Sequence, residues 1–241
     1  MNAIDALQQG VRMVLSPGLR RYVAVPVAIS AVLYVVLLGF LYAYLPGWSE
    51  AITGHFPSWL RWLSWLIWLL VMLTSLVITY FTFTLVVAFL ASPFYGLLAE
   101  QVERQLGGAG SQDDRGWQQL ITDSLAREWQ KLKFILPRMA LLFVVGFIPG
   151  VQPIMPIAWL LLSAWCLAIQ YLDYVMDNHQ VSFAHMRKLL WAHKGQTALF
   201  GLILTPLIII PVVNLIVMPA AVAAGVILWQ HHYRTSRAIS S

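Results

Sequence analysis

The chain has 241 residues, of which 60% are hydrophobic and only 10% are charged, and its formal net charge at pH 7 is +5. Soluble domains carry about 25% charged residues, so this composition excludes a soluble globular enzyme, a disordered chain and a nucleic-acid-binding module. The single cysteine, Cys166, excludes an internal disulfide framework and a thiolate metal site. The sequence therefore predicts an all-α integral membrane protein.

The first predicted elements are a surface helix and two long spans. Residues 1–15 place apolar side chains at helical spacing with polar ones between them, which is typical of an amphipathic helix on the membrane surface. Residues 22–45 are uncharged and long enough to cross a hydrocarbon core of ~30 Å, and we expect Pro46 and Gly47 to end this span. The uncharged residues 62–99 predict a second, longer helix that breaks near Pro93.

Two later apolar regions, 139–172 and 197–230, are interrupted by prolines. The pieces on either side of each break are roughly 11–16 residues, or about 16–24 Å, which is short of a crossing. They favour two half-membrane helical hairpins that enter and leave by the same face, with four complete, proline-kinked helices as the alternative. Between them, residues 100–138 predict a cytoplasmic amphipathic region and residues 173–196 an amphipathic connector. Together these elements predict a single membrane domain, 1–241.

The positions of the cationic residues predict the orientation. Nearly all of them precede the first span, follow the second, separate the hairpins or close the chain. The positive-inside rule places these segments, with both termini, in the cytoplasm. Four full crossings in place of the hairpins would give the same orientation, so the charges do not decide between the two topologies.

A candidate anion site lies just before the first span. Ser16 and Pro17 are a typical N-cap and first helical residue, so we expect a helix to begin there with its N–H groups and positive dipole end exposed. No acidic residue lies between Asp5 and Glu50 to neutralise the arginine pair. The alternative is that the two arginines only orient the span. The residues predicted to bind an anion, which would be a dianion, are Gly18, Leu19, Arg20 and Arg21.

Other polar residues suggest weaker sites. A candidate pore or gate consists of Ser92, Pro93, Glu100, Glu103, Arg104 and Asn214, with a local ion pair as the alternative for its charged members. Asp173, Asp177 and His179 suggest a metal site, but a polar helix end explains them better, so we expect no metal and no cofactor. The chain contains no P-loop and no zinc-protease or nucleophile-elbow motif, which argues against an enzyme and against ATP hydrolysis.

Several collinear motifs resemble the CysZ-type bacterial sulfate permeases. They are SPGLRR at 16–21, PFYGLLAE at 93–100, REWQK at 127–131, LPR at 136–138, FIPG at 147–150 and DNH at 177–179. The resemblance covers nearly the whole chain, except for residues 107–117. One departure is Tyr95, where members often carry asparagine, which weakens any role for a small amide at that position.

The resemblance implies a multi-pass protein of the bacterial inner membrane that takes up sulfate for cysteine biosynthesis. It also implies two long transmembrane helices, two half-membrane hairpins and a homo-oligomer such as a hexamer, with membrane lipid around it. It favours the anion-binding interpretation of Arg20 and Arg21. Transport is expected to be channel-like or proton-coupled. The alternative from another class is a non-transporting scaffold or regulator whose arginines bind anionic lipid.

Overall fold

Every regular element in the part of the chain that the computed structural model describes, residues 1–53, 62, 64–108 and 116–234, is a helix. The all-α class is therefore confirmed. Residues 109–115 of the predicted cytoplasmic region and residues 235–241 at the C-terminus lie outside this part. The helices are α1 (Ala3–Val14), α2 (Arg20–Thr53), α3 (Ser64–Gln105), α4 (Trp117–Val145), α5 (Met155–Asn178), α6 (Phe183–Ala192), α7 (Lys194–Ile209) and α8 (Pro211–Leu228), followed by a π-helical turn, Trp229–Tyr233.

The chain divides into two compact units. One comprises Val25–Ala91, and the other comprises Met1–Ala24 together with Ser92–Ser241. The Val25–Ala91 unit holds most of α2 and the first part of α3. Its large apolar side chains are widely exposed, including Val35 at 69% and Tyr42 at 87%, which is the surface expected of helices that face lipid.

The predicted end of the first span is wrong, because α2 continues through Pro46 and Gly47 to Thr53. Helix α3 is one long helix, as predicted, and Pro93 lies inside it without breaking it. A proline inside a helix removes one hydrogen bond, but apolar helices tolerate it where neighbouring groups compensate. Beyond Pro93, the fully buried Leu98 and Ala99 anchor α3 in its unit's core, so packing maintains the helix past the proline.

Helix α1 forms as predicted. Of its predicted apolar face, Leu7 and Val14 are buried, whereas Ile4 and Leu15 are about half exposed and Val11 is partly buried. The buried face also contains the small residues Ala3, Ala6 and Gly10. A Cβ added at Gly10 would lie 2.5 Å from the carbonyl oxygen of Ala220 in α8. The small residues thus let α1 pack directly on another helix, and this contact buries much of the face that sequence patterning assigned to lipid.

Glycines also bring the core helices α5, α7 and α8 into close contact. A Cβ at Gly201 of α7 would lie 1.8 Å from the Ala164 carbonyl oxygen of α5, and one at Gly225 of α8 would lie 2.7 Å from that of Tyr171. Small residues at a crossing let two backbones approach closely. These contacts fix α5 as the central helix of the unit, and they position the charged residues near its C-terminal end.

The two proline-rich regions each contain one turn between helices. In the first, α4 ends at Gly146, and the turn uses Gly150, whose φ of +89° is readily available only to glycine. The Gly150 amide donates to Oε1 of Gln152 at 2.8 Å. In the second, Ile210 is extended and Pro211 begins α8. The other prolines of these regions include Pro206 and Pro219, which lie inside helices.

One helical segment is longer than the sequence predicts. Among the described residues, Gln152–Asn178 is the one helix that is both long and apolar enough to cross a membrane. Its C-terminal part passes the expected boundary at residue 172, because the buried Asp173 finds basic partners there. Helix α7, by contrast, has 16 residues, or about 24 Å.

Candidate anion-binding site

The turn that precedes α2 has a different geometry from the predicted one. Helix α2 begins at Arg20, four residues after Ser16. The Ser16 carbonyl accepts the amides of Leu19 at 3.2 Å and of Arg20 at 3.3 Å, and the Leu19 side chain is fully buried. Ser16 therefore closes a tight turn instead of capping the helix. Burial of the Leu19 side chain holds this turn in place, so α2 begins only at Arg20.

The turn presents Gly18 to solvent and keeps its backbone donor available. Gly18 is exposed, and within the described residues its amide donates no hydrogen bond. The Leu19 amide, by contrast, already donates to Ser16. Of the two backbone groups predicted to contact the anion, the geometry therefore leaves Gly18 available and engages Leu19.

Arg20 and Arg21 are exposed and side by side in sequence, yet different groups hold them. Nε of Arg20 donates to the Leu15 carbonyl at 2.8 Å, which leaves its terminal nitrogens available. Nη2 of Arg21 donates to the Tyr22 hydroxyl at 3.1 Å, and its Cζ lies 4.9 Å from the centroid of the Tyr22 ring. No carboxylate among the described residues forms a salt bridge with either arginine, so both positive charges remain uncompensated.

Gln105 is a neighbour of this turn that sequence reasoning missed. Its Nε2 lies 3.2 Å from the position that a Cβ at Gly18 would occupy. Gln105 is the last residue of α3 and is exposed, so its carboxamide can donate a hydrogen bond to a ligand at the turn. No local signal in the sequence could have revealed this, because only the fold brings residue 105 to residue 18.

A second group of charged residues lies buried where α3, α4 and α5 meet. Arg127 bonds Asp173 through Nε at 3.0 Å and Nη2 at 2.6 Å. Nζ of Lys131 lies 2.7 Å from Glu128 and 3.2 Å from Asp173. The sequence analysis used Arg127, Glu128 and Lys131 only as part of a motif. We call the four residues Arg127, Glu128, Lys131 and Asp173 the buried ion cluster.

The cluster is almost entirely removed from solvent. Its four residues are at most 8% exposed, and Ser92 of α3 donates to Glu128 Oε1 at 2.9 Å. Burial alone would lower the pKa of Lys131, but the charges and hydrogen bonds of Glu128 and Asp173 outweigh burial and raise that pKa. The cluster thus contains two positive and two negative charges that compensate one another, and it is a structural connection between helices.

The sequence pattern of the family described as "Sulfate transporter CysZ/Etoposide-induced protein 2.4" matches residues 6–219. The chain belongs to this family. It is 40% identical over 234 residues to the sulfate transporter CysZ of Salmonella paratyphi A, covering 96% of this chain and 92% of that protein. It is 41% identical over 229 residues to that of Pectobacterium atrosepticum, covering 93% and 83% respectively. With that of Pseudomonas syringae pv. tomato it shares 39% identity over 226 residues, covering 92% and 89%.

Membership in the CysZ family confirms the resemblance identified from the motifs. It also confirms that the chain belongs to a family of membrane transporters and is not an enzyme.

In this CysZ-family chain, the predicted gate residues do not form one group. Ser92 belongs with the buried ion cluster, and Pro93 lies inside the continuous helix α3 instead of breaking it. Glu100 pairs with Arg104 one turn away, as the local alternative predicted. Glu103 instead pairs with Nε2 of His179 at 2.9 Å. Asn214 lies in α8, and its side chain is outside the described part of the structure.

The residues once considered for a metal site have other partners. Asp173 pairs with Arg127 and Lys131, and Asp177 Oδ1 lies 3.5 Å from Arg127 Nε. His179 pairs with Glu103 and stacks on Trp229, with ring centroids 5.4 Å apart. In the described ranges, no group of three or more histidine, cysteine or carboxylate residues is arranged to hold a metal ion. These residues therefore act as a polar helix end bound to its neighbours.

Proposed function

We propose that the chain is a sulfate permease in which the turn at residues 16–21 binds the anion. The observation that carries the proposal is the exposed arginine pair, Arg20 and Arg21, which has no carboxylate partner among the described residues in a chain of the CysZ family. A strongly hydrated dianion requires compensating positive charge and several donors wherever it leaves water. The turn offers both at a surface position.

The donor set matches a tetrahedral oxyanion. Arg20 retains its terminal nitrogens after Nε bonds Leu15, and the Gly18 amide adds a backbone donor. Nε2 of Gln105, 3.2 Å from the Cβ position of Gly18, supplies a neutral donor on the other side of the turn. Charge-assisted hydrogen bonds are about twice as strong as neutral ones, so we expect the two guanidinium groups to provide most of the affinity.

We propose that sulfate permeates without ATP hydrolysis and that internal consumption drives net uptake. A dianion entering a negative interior works against about 4.6 kcal/mol per 100 mV, since each charge contributes about 2.3 kcal/mol. Coupling to protons would need a carboxylate that can take up a proton during transport. Glu100 pairs with Arg104, and Asp173 pairs with Arg127 and Lys131. Protonation of either carboxylate would remove an ion pair, which favours the channel-like mechanism.

The topology we propose follows the predicted one. Helices α2 and α3 cross the inner membrane, α4–α5 and α7–α8 form half-membrane hairpins, and the termini are cytoplasmic. Helix α5 is long enough to cross, but we place its C-terminal part, from Asp173 onward, on the cytoplasmic side, where Asp173 pairs with Arg127 and Lys131. Support comes from the turn regions, where Phe147, Ile154 and Ile209 are 62–76% exposed and require an apolar environment. The unpaired backbone N–H and C=O groups at these helix ends cannot form hydrogen bonds with lipid tails. We therefore propose that neighbouring copies of the chain in a homo-oligomer, such as a hexamer, cover them.

The test is radioactive sulfate uptake into proteoliposomes by the Arg20→Ala/Arg21→Ala variant. We expect uptake to fall at least about tenfold, because charge-assisted hydrogen bonds contribute ~1.5–3 kcal/mol each. The matched control, Lys133→Ala/Lys194→Ala, also removes two exposed positive charges and should retain near wild-type uptake. Equal uptake by the arginine variant and the control would refute the site.

Two further experiments with the same proteoliposomes test whether transport is coupled to protons and whether the protein is a transporter or a scaffold. An imposed pH gradient should leave the initial uptake rate unchanged if no proton is carried, whereas a gradient-dependent rate would support coupling. Sulfate affinity is then measured in the presence of chloride and of anionic lipid. Binding of lipid alone, with no sulfate binding and no flux, would favour the scaffold alternative.

A further inference from the structure

A second cationic region, away from the turn at residues 16–21, surrounds a cavity of about 620 Å³ between α4, α5 and α6. Three basic residues line it, Arg138, Arg187 and Lys188, and none of its seven described lining residues is acidic. Nε of Arg187 is buried and has no hydrogen-bond partner among the described residues. A buried guanidinium donor without a partner costs free energy, so this cavity is built for a group that is absent from the protein itself.

Aromatic side chains hold the positive charges in place. The Cζ atoms of Arg138 and Arg187 lie 3.5 and 4.7 Å from the centroid of the Phe134 ring. One ring therefore contacts two guanidinium groups of the same cavity, although like charges repel. Trp165 and Trp191 complete the wall with an edge-to-face contact, 5.6 Å between centroids. An anion between the two guanidinium groups would relieve their repulsion and satisfy the open donors.

An apolar groove continues from the same cavity. A second cavity of about 240 Å³ shares Arg138 and is otherwise lined by apolar residues of α4 and α5, among them Leu141, Val145 and Leu162. Leu141 is 66% exposed, and Phe143 and Val144, which follow it toward the turn, are more than 60% exposed as well. Arg138 therefore stands at the border between a cationic surface and an apolar one, where lipid headgroups meet acyl chains.

We propose that this cavity binds one anionic phospholipid. Its phosphate lies between Arg138 and Arg187, with Lys188 beside it, and one acyl chain follows the groove past Leu141 and Leu162. Basic pockets between membrane helices recognise lipid headgroups in this way. A free sulfate or phosphate ion would use the charges but neither the large volume of the cavity nor its apolar extension, and for this reason the occupant is a lipid.

Binding is measured by native mass spectrometry of the purified full-length protein with phosphatidylglycerol or phosphatidylcholine. The wild-type chain should bind phosphatidylglycerol at least about tenfold more tightly, since each basic residue near an anionic headgroup contributes severalfold. Arg138→Ala/Arg187→Ala should lose most of this preference. The control Arg12→Ala/Lys133→Ala removes two exposed charges from α1 and α4 and should keep it. Equal affinity of the wild-type chain for both lipids would overturn the proposal without any variant having to fold.

A third variant separates a lipid from a free anion. Ala158→Trp fills the apolar groove and leaves the basic residues intact. It should weaken binding of phosphatidylglycerol several-fold and leave binding of water-soluble glycerophosphate unchanged. Displacement of bound lipid by millimolar sulfate, or an Ala158→Trp variant with wild-type lipid affinity, would identify the cavity as a simple oxyanion site and overturn the lipid assignment. Sulfate uptake is not the readout here, so the outcome is independent of the proposed function.

Discussion

Two sets of arginines in this protein occupy contrasting environments. Arg127 is buried and bonded to Asp173 through two of its nitrogens, in a cluster whose positive and negative charges are equal in number. Arg20 and Arg21 are exposed, and within the described residues they have no acidic partner. The same side chain therefore connects helices in one place and remains available to a ligand in the other.

The difference shows which positions in such an apolar chain allow a charged side chain to bind a transported anion. A buried charge must be compensated internally, or its desolvation destabilises the fold. Once compensated, it attracts a passing dianion little, because the field of each arginine is cancelled by its neighbour. A surface position allows an arginine to keep its charge unpaired at low cost. For this reason we propose the turn at residues 16–21, and not the buried ion cluster, as the sulfate site.

The largest effect should follow from breaking the buried ion cluster. Asp173→Asn leaves the buried Arg127 and Lys131 without one carboxylate, and removing one partner of a buried ion pair costs about 3–5 kcal/mol. We expect the midpoint of thermal unfolding in detergent to fall by roughly 10 °C, and uptake to fall only as far as folded protein is lost. A wild-type midpoint would mean that the cluster does not hold the helices together.

A smaller effect should follow from removing Lys131, because Glu128 and Asp173 both keep other partners. Lys131→Met should destabilise the protein by about 2–3 kcal/mol. The pKa of Lys131 is raised in the folded protein, so the stability it contributes is fully present below its unfolded-state pKa of about 10.4 and is lost only as pH rises through the higher folded-state value.

The pH dependence gives the measurement. The difference in unfolding midpoint between the wild type and Lys131→Met should stay constant from about pH 7 to about pH 9.5. Comparing the two proteins at each pH removes the contributions of groups that titrate in both. A difference that shrinks within this range would show that Lys131 loses its proton early and that the carboxylates do not stabilise its charge.

The contrast between the two regions also marks what sequence could predict. The arginine turn was found from local features, namely two adjacent arginines, a turn-forming Pro17 and Gly18, and the lack of nearby acids. The buried ion cluster was missed because its charged partners come from separate helices, as with Arg127 and Asp173, and no sequence period relates them.

The predicted end of the first span is wrong for a related reason. Pro46 and Gly47 predict a helix end, yet α2 continues through them, and Pro93 lies inside α3 without breaking it. The break at residues 146–154 was predicted correctly because a glycine of positive φ lies among the prolines there. The sequence pattern did not include Ala3 and Gly10 in the buried face of α1. Small residues contribute little to a hydrophobicity pattern, but they allow close contact with another helix, as Gly10 does with Ala220.

Giving the arginine turn an acid of its own should make it resemble the buried ion cluster. Gln105→Glu places a carboxylate beside Gly18, in the turn that carries the arginine pair, and we expect it to compete with sulfate for the guanidinium groups. We expect sulfate affinity to fall about tenfold, measured by equilibrium binding of radioactive sulfate. The neutral control Gln105→Met removes only the carboxamide donor and should weaken binding about threefold. Equal affinities for the two variants would place Gln105 outside the site.

The smallest effect should come from the Glu100–Arg104 ion pair, which is neither fully buried like the ion cluster nor without a carboxylate like the arginine turn. Glu100 and Arg104 form a pair one helical turn apart, in which the Arg104 side chain is 54% exposed and the Glu100 side chain 14%. Exposed pairs contribute about 0–1 kcal/mol, so Glu100→Gln should shift the unfolding midpoint by no more than roughly 3 °C and leave uptake unchanged. A loss of uptake without a loss of stability would instead show that Glu100 controls passage of the anion, as the gate hypothesis predicts, and that exposure alone does not decide which charges serve transport.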